Sequence, residues 1–91
     1  MEITYDPQKN ALNIEARGLS FERVCDFDFQ SALIWIDARK AYPEIRLSAL
    51  GYLDGRLHSL VFSETENGIR VISFRKANKR EVNRYEQKIK S

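Results

Sequence analysis

Eight Lys and Arg side chains fall between Arg70 and Lys90, against two glutamates, in a chain whose net charge is only +2. Guanidinium and ammonium groups at this density suit the holding of phosphate or another anion. On the C-terminal segment Arg80, Arg84 and Lys88 recur every four residues, with Lys76 in the same phase, and so line one helix stripe. Like charges at that spacing repel, so helix stability alone would not select them. Arg75, Lys76 and Lys79 lie where a strand meets the helix start, where cations and free amides converge. The plainer alternative is a solvated face that keeps a small domain soluble. An anionic partner on this reading is RNA, DNA or an acidic protein, and phosphate contacts by themselves read no sequence.

The elements that must position these groups follow from periodicity and turn chemistry. Glu2–Tyr5 reads as a short strand. Asp6 then Pro7 opens a helix that runs to about Arg17 and stops on a left-handed Gly18. Leu12, Ile14 and Ala16 are its apolar side. Ser20 caps a second short helix with Phe21, Val24 and Cys25 as a buried stripe. Ser31–Asp37, SALIWID, reads as a strand buried on both faces, and residues 38–44 as a loop. Asp54-Gly55 and Asn67-Gly68 are two-residue hairpin turns joining strands Ile45–Leu53, Arg56–Glu66 and Ile69–Arg75. Asn78 and Glu81 form a capping box for a last helix whose apolar stripe is Val82, Tyr85 and Ile89.

The order β-α-α-β-β-β-β-α predicts an α+β domain spanning residues 1–91, with a mostly antiparallel sheet, N-terminal helices on one face and a C-terminal helix. Strand alternation places Leu47, Ala49, Leu60, Phe62 and Val71 on the core face. The opposite face carries Leu50, Val61, Ile72 and Phe74 with Arg46, Ser48, Ser59, Ser63 and Arg70. Arg46 and Arg70 then flank Ser63 as a phosphate cradle, or lie idle on a solvated edge.

Composition excludes several classes. Hydrophobic residues make up 43% of the chain and aromatics 11%, which favours a packed core over disorder. One cysteine, Cys25, allows no internal disulfide; on its apolar stripe it reads as an inert buried thiol. No Cys/His cluster has metal spacing, and the four glycines read as turns or caps rather than a phosphate loop. No metal or cofactor is expected. No secretory signal or membrane span is visible, so a cytoplasmic protein is expected.

The chain resembles the BrnT toxin family. The family opening, Asp and Lys three apart, then Asn, then Gly-Ile/Val-Ser-Phe-Glu, is met by YDPQKNALNIEARGLSFE through Asp6, Lys9, Asn13, Gly18, Ser20, Phe21 and Glu22. The family ending is met by Arg70, Ile72, Ser73, Arg75, Ala77, Lys79, Arg80, Glu81 and Tyr85. Glu44, Arg46, Gly51 and Gly55-Arg56 match in the middle. Ala16-Arg17 stands where a Lys-His pair is usual, Phe62 where His or Tyr is, and Ser63-Glu64-Thr65 where Thr-Glu-Arg is. The resemblance implies a compact RelE-like fold and an endoribonuclease toxin that stops translation. It also implies a ribbon-helix-helix antitoxin in a hetero-oligomer that contacts operator DNA only through that antitoxin.

Metal-free RNA cleavage needs a base for the ribose 2′-hydroxyl, donors for the phosphorane oxygens and an acid for the departing 5′-oxygen. Arg46, Arg70, Arg75 and Arg80 are the candidate catalytic donors. Glu81 or Tyr85 is a base or orients one, although a capping role for Glu81 and core packing for Tyr85 are the simpler readings. Lys9, Arg17, Lys76, Lys79, Arg84 and Lys88 are candidate RNA contacts. His58, the only histidine, lies near a hairpin tip away from the basic cluster in sequence, and its role stays open. A degenerate toxin that holds an antitoxin or RNA without cutting is the alternative, and a plain basic α+β domain is the third.

Overall fold

A computed structural model describes residues 1–90. Its elements are β1 (Glu2–Tyr5), α1 (Pro7–Arg17), a 3-10 helix (Phe21–Asp26), β2 (Leu33–Ile36), β3 (Leu47–Leu53), β4 (Arg56–Glu64), β5 (Gly68–Lys76) and α2 (Lys79–Lys90). The local signals act as their chemistry dictates. Asp6 Oδ1 accepts from the Gln8 amide at 2.9 Å, and Gly18 ends α1 at φ 64°. Asp54 and Gly55 both take positive φ in the β3–β4 turn.

The five strands lie in the order β1-β5-β4-β3-β2. Three pairings are antiparallel, in line with a mostly antiparallel sheet, but β1 runs parallel to β5, so the sheet is mixed. The β4–β5 turn closes one residue earlier than expected. The Thr65 amide donates to the Gly68 carbonyl at 2.9 Å, which places Glu66-Asn67 in the loop and Gly68 in β5.

Hydrophobic clusters cover both sheet faces. One gathers Ala49, Leu53, Leu60, Phe62, Ile69, Val71 and Phe74 under Phe21, Val24 and Phe27. The other packs Leu50 and Leu57 against Ala77, Tyr85 and Val82 of the α2 region, with Leu33 and Trp35 beside them. The predicted core face is met, with one correction. Phe62 pairs with Val71 but Val61 with Ser73, so Ile72 is a bulge and the alternation of β5 reverses beyond it. Phe74 therefore joins the first cluster, and Arg75, paired with Ser59, turns to the α2 side.

Other expectations are corrected by packing. The helix α1 buries no side chain; Leu12 is 64% exposed. It is tied down through Asn13, whose Nδ2 donates to the carbonyls of Leu19 at 2.9 Å and Phe74 at 3.0 Å, and the 3-10 helix covers the sheet in its place. Cys25 points away from that cover and is exposed. The SALIWID strand is an edge strand, buried on one side only, with Ile36 64% exposed. Ile89 is exposed because α2 extends past the cluster.

Gly51 is neither a turn nor a cap. It lies inside β3, where a Cβ would stand 2.5 Å from Phe27 Cζ and 3.0 Å from Ala32 Cβ. The Phe27 ring has little room to retreat, because it packs edge-on against Phe29 and Phe74. Gly51→Ala should therefore destabilise the fold by about 1–3 kcal/mol in urea titration, despite the better strand propensity of alanine. Unchanged or raised stability would contradict this packing.

Candidate functional site

Between β2, β5 and α2 the sheet leaves a cleft of about 430 Å³ on its α2 side. The strands supply its floor: Ser48 from β3, Ser59 and Val61 from β4, Ser73 from β5. Four guanidinium groups line it, those of Arg39, Arg46, Arg75 and Arg84, together with the carboxylates of Asp37 and Glu81. Trp35 supplies an aromatic wall.

Each cation is held by a specific partner. Arg75 reaches the cleft because of the bulge, and its Nη1 and Nη2 donate to Glu81 Oε1 and Oε2 at 2.8 and 3.0 Å. Glu81 also closes the expected capping box. It accepts from the Asn78 amide at 2.9 Å and its own amide donates to Asn78 Oδ1 at 2.9 Å. The Arg75 guanidinium thus holds the Glu81 carboxyl below its usual range, with the Asn78 amide assisting against partial burial. A carboxylate so stabilised is a weak base and a good anchor for Arg75. Arg46 Nε donates to Glu44 at 2.8 Å and its guanidinium lies 4.1 Å from the Tyr42 ring centre. Arg84 stacks on Trp35 at the same distance.

The loop after β2 contributes what the sequence reading missed. Asp37 is buried, and its carboxylate accepts from Arg39 Nε at 2.8 Å, Arg39 Nη2 at 2.7 Å, the Arg39 amide at 3.2 Å and the Tyr42 hydroxyl at 3.5 Å. The Arg39 hydrogen bonds outweigh the desolvation of burial and lower its pKa to about 2. The signal was an acid closing an apolar strand with Arg two residues on.

Of the residues proposed from sequence, Arg46, Arg75, Glu81 and Arg84 come together here. Arg70, Lys79, Arg80 and Lys88 are exposed and do not line this cleft. Arg80 shares its stripe of α2 with Arg84 but lies one turn nearer the helix start, and of the two only Arg84 stacks on Trp35 and lines the cleft. Arg70 lies further along β5, opposite Ser63. Lys9 sits in a shallow groove beside α1, and Arg17 and Lys76 line a separate cleft at the β3–β4 hairpin end. Tyr85 is buried, edge-on to Tyr52, donates its hydroxyl to the Ser31 carbonyl at 2.8 Å and does not line the cleft. The expected gathering of Arg46, Arg70, Arg75 and Arg80 is thus half met, and the two that do converge are each paired with a carboxylate of the chain.

The family model of the BrnT ribonuclease toxins of type II toxin-antitoxin systems matches residues 5–81. The chain belongs to the BrnT toxin family. The BrnT match takes in Arg46, Arg75 and Glu81 and stops before Arg84. No curated protein matches the chain. Membership of a type II system implies an antitoxin partner. Among the described residues no helix is long and apolar enough to cross a membrane.

A test of the Asp37 anchor follows from linkage. Its folded pKa lies below the ordinary value near ~4, so its contribution is complete above that value and is lost as pH falls toward about 2. Asp37→Asn should lower the urea midpoint most above pH ~4, and the gap from the unsubstituted chain should narrow steadily below it. A gap of constant size across that range would show that the carboxylate is not held ionised.

Proposed function

We propose that this chain is an endoribonuclease toxin that cuts RNA without a metal and so arrests translation in the cytoplasm, acting as one domain over its 91 residues. The observation that carries this reading is the convergence of Arg46, Arg75 and Arg84 with three seryl hydroxyls beside Trp35 in one concave cleft. The pairs with Glu44 and Glu81 use some guanidinium donors and orient the rest. Preoriented donors can then meet the charge that grows on the phosphorane oxygens. Trp35, already stacked by Arg84, supports an unpaired base at the cleft wall. The candidate roles are therefore phosphate stabilisation for Arg46 and Arg75, strand contact for Arg84, and positioning of Arg75 for Glu81.

The partner is proposed to be a ribbon-helix-helix antitoxin, through which alone the complex meets operator DNA. The outer side of β2 is an unpaired sheet edge, and Ile34, Ile36 and Ile45 are exposed around it. An antitoxin segment that adds to this edge would bury those side chains and cover the cleft mouth at Trp35.

One observation favours a second reading, a toxin-like module that holds RNA or antitoxin without cutting. Both carboxylates lining the cleft are ion-paired and acidified, and no histidine lines it.

Expression of the chain without antitoxin should arrest growth. Arg46→Ala and Arg75→Ala should each lower RNA cleavage by about 10²-fold or more while leaving the circular dichroism spectrum intact. Binding to single-stranded RNA should weaken by roughly 0.7 log units per contacted phosphate for each log unit of salt. RNA binding with neither arrest nor cleavage would favour the second reading. Two folded variants that stay fully toxic would remove the cleft from the mechanism.

A further inference from the structure

The first cleft holds no histidine, and three of its four arginines are bound to carboxylates. The unpaired cations lie elsewhere. A second cleft of about 610 Å³ opens between the C-terminal end of α1 and the β3–β4 hairpin. Arg17, Arg23, Arg56 and Lys76 line it, with Asp54 as its only carboxylate among the described residues. Asp54 is already taken, since Arg23 Nη2 donates to both of its oxygens at 2.9 and 2.8 Å. The side chains of Arg17, Arg56 and Lys76 have no hydrogen-bonding or ionic partner among the described residues. The end of α1 adds about half a negative charge, which three free cations outweigh.

His58 is buried in the wall of this cleft, only 4% exposed, with its ring 5.4 Å from that of Phe74. Its Nδ1 lies 2.8 Å from the Arg56 carbonyl oxygen. A carbonyl oxygen only accepts, so Nδ1 donates, and in the neutral ring the lone pair is on Nε2. No described residue bonds Nε2. Among the described residues no fully buried side-chain nitrogen or oxygen lacks a partner, so Nε2 keeps contact with solvent, and His58 is a lining residue of this cleft. The site therefore offers cations for a phosphate and, beside them, one fixed acceptor for a hydroxyl.

We propose that this second cleft is a ribonucleotide subsite, in which Arg17, Arg56 and Lys76 take a phosphate group and His58 Nε2 accepts from the ribose hydroxyl next to it. The choice of ribose rests on the reading of the chain as an RNA-acting toxin. The cleft is a different one, and its test needs no cleavage. A binding site of this kind joins a charge requirement, which any phosphate meets, to a hydroxyl requirement, which only ribose meets.

The test is a titration with uridine 3′-monophosphate, 2′-deoxyuridine 3′-monophosphate and inorganic phosphate, followed by backbone amide and imidazole nitrogen NMR. The expected result is a set of shifts at residues 17–19 and 54–58 and at the His58 ring, with the ribonucleotide bound at least three-fold more tightly than the other two. Arg17→Ala and Lys76→Ala should weaken all three ligands several-fold, and Lys40→Ala none. His58→Gln should remove the preference for ribose. If that variant does not fold, the ribose preference of the unsubstituted chain and its loss of affinity in Arg17→Ala decide. Shifts confined to the first cleft, equal affinity for the ribo and deoxy forms, or inorganic phosphate binding as well as either would overturn the proposal. Ribose-dependent binding at His58 in a chain that cuts no RNA would sink the nuclease reading and leave the subsite standing.

Discussion

One extra residue in β5 decides where charge and apolar surface go. Without the bulge at Ile72, the alternation set by Ile69 and Val71 would carry Ser73 and Arg75 into the cluster under Phe21 and Phe27. Phe74 would then be turned out toward α2. An unpaired guanidinium in that cluster would cost far more than the ~1.5–3 kcal/mol that burying a phenylalanine contributes. The bulge removes the conflict by reversing the phase once. Phe74 fills the core, with an accessibility of 1%, and Arg75 meets Glu81 at the start of α2. The same residue thus fixes the core, the cleft and the docking of the last helix.

The cations divide into two populations with different physical roles. Around the first cleft Arg39, Arg46 and Arg75 are paired, to Asp37, Glu44 and Glu81, and these pairs shape loops and the helix start as much as they present charge. Exposed pairs of this kind contribute little to stability in themselves; the Asp37 pair differs because its carboxylate is buried. At the hairpin end Arg23 is paired with Asp54, whereas Arg17, Arg56 and Lys76 have no partner among the described residues and line one cleft with the histidine. A basic surface is therefore not uniform in what it can do. Donors already oriented by carboxylates suit the stabilisation of developing charge. Free ones suit the capture of an anion from solution.

Much of the fold was legible because its signals are local. Asp6-Pro7, Gly18, Ser20, Asp54-Gly55 and the Asn78/Glu81 box each act within a few residues, and each does so here. The parallel β1–β5 pairing was not legible, because it joins residues more than sixty apart with no turn between them. The exposure of Leu12 and Ile14 was not legible either, since their spacing also fits a helix packed on a face. In the structure α1 is held by Asn13 instead. The cleft was half legible. Arg46, Arg75 and Glu81 are all met by the family motif, Glu81 also by capping, while the register that turns Arg75 into the cleft is not. The bulge did leave a trace: apolar residues at 69 and 71 and then at 74 are out of phase, with an arginine at 75. The Asp37–Arg39 anchor spans the end of the SALIWID strand and the loop after it, and its one trace in the sequence is an acid closing an apolar strand with an arginine two residues on. His58 was set aside for its distance in sequence from the basic cluster, a distance that folding erases by bringing the end of α1 and Lys76 to the hairpin.

The phase reversal in β5 is the claim on which both clefts depend. The most direct measurement is the set of nuclear Overhauser contacts made by the Phe74 ring in the free protein. The account predicts contacts to Phe27 and to the ring of His58, whose centroids lie 6.1 and 5.4 Å away. Contacts from Phe74 to Leu50 and Tyr85 instead would mean that the alternation continues unbroken, that Arg75 faces the other way, and that neither cleft exists as described.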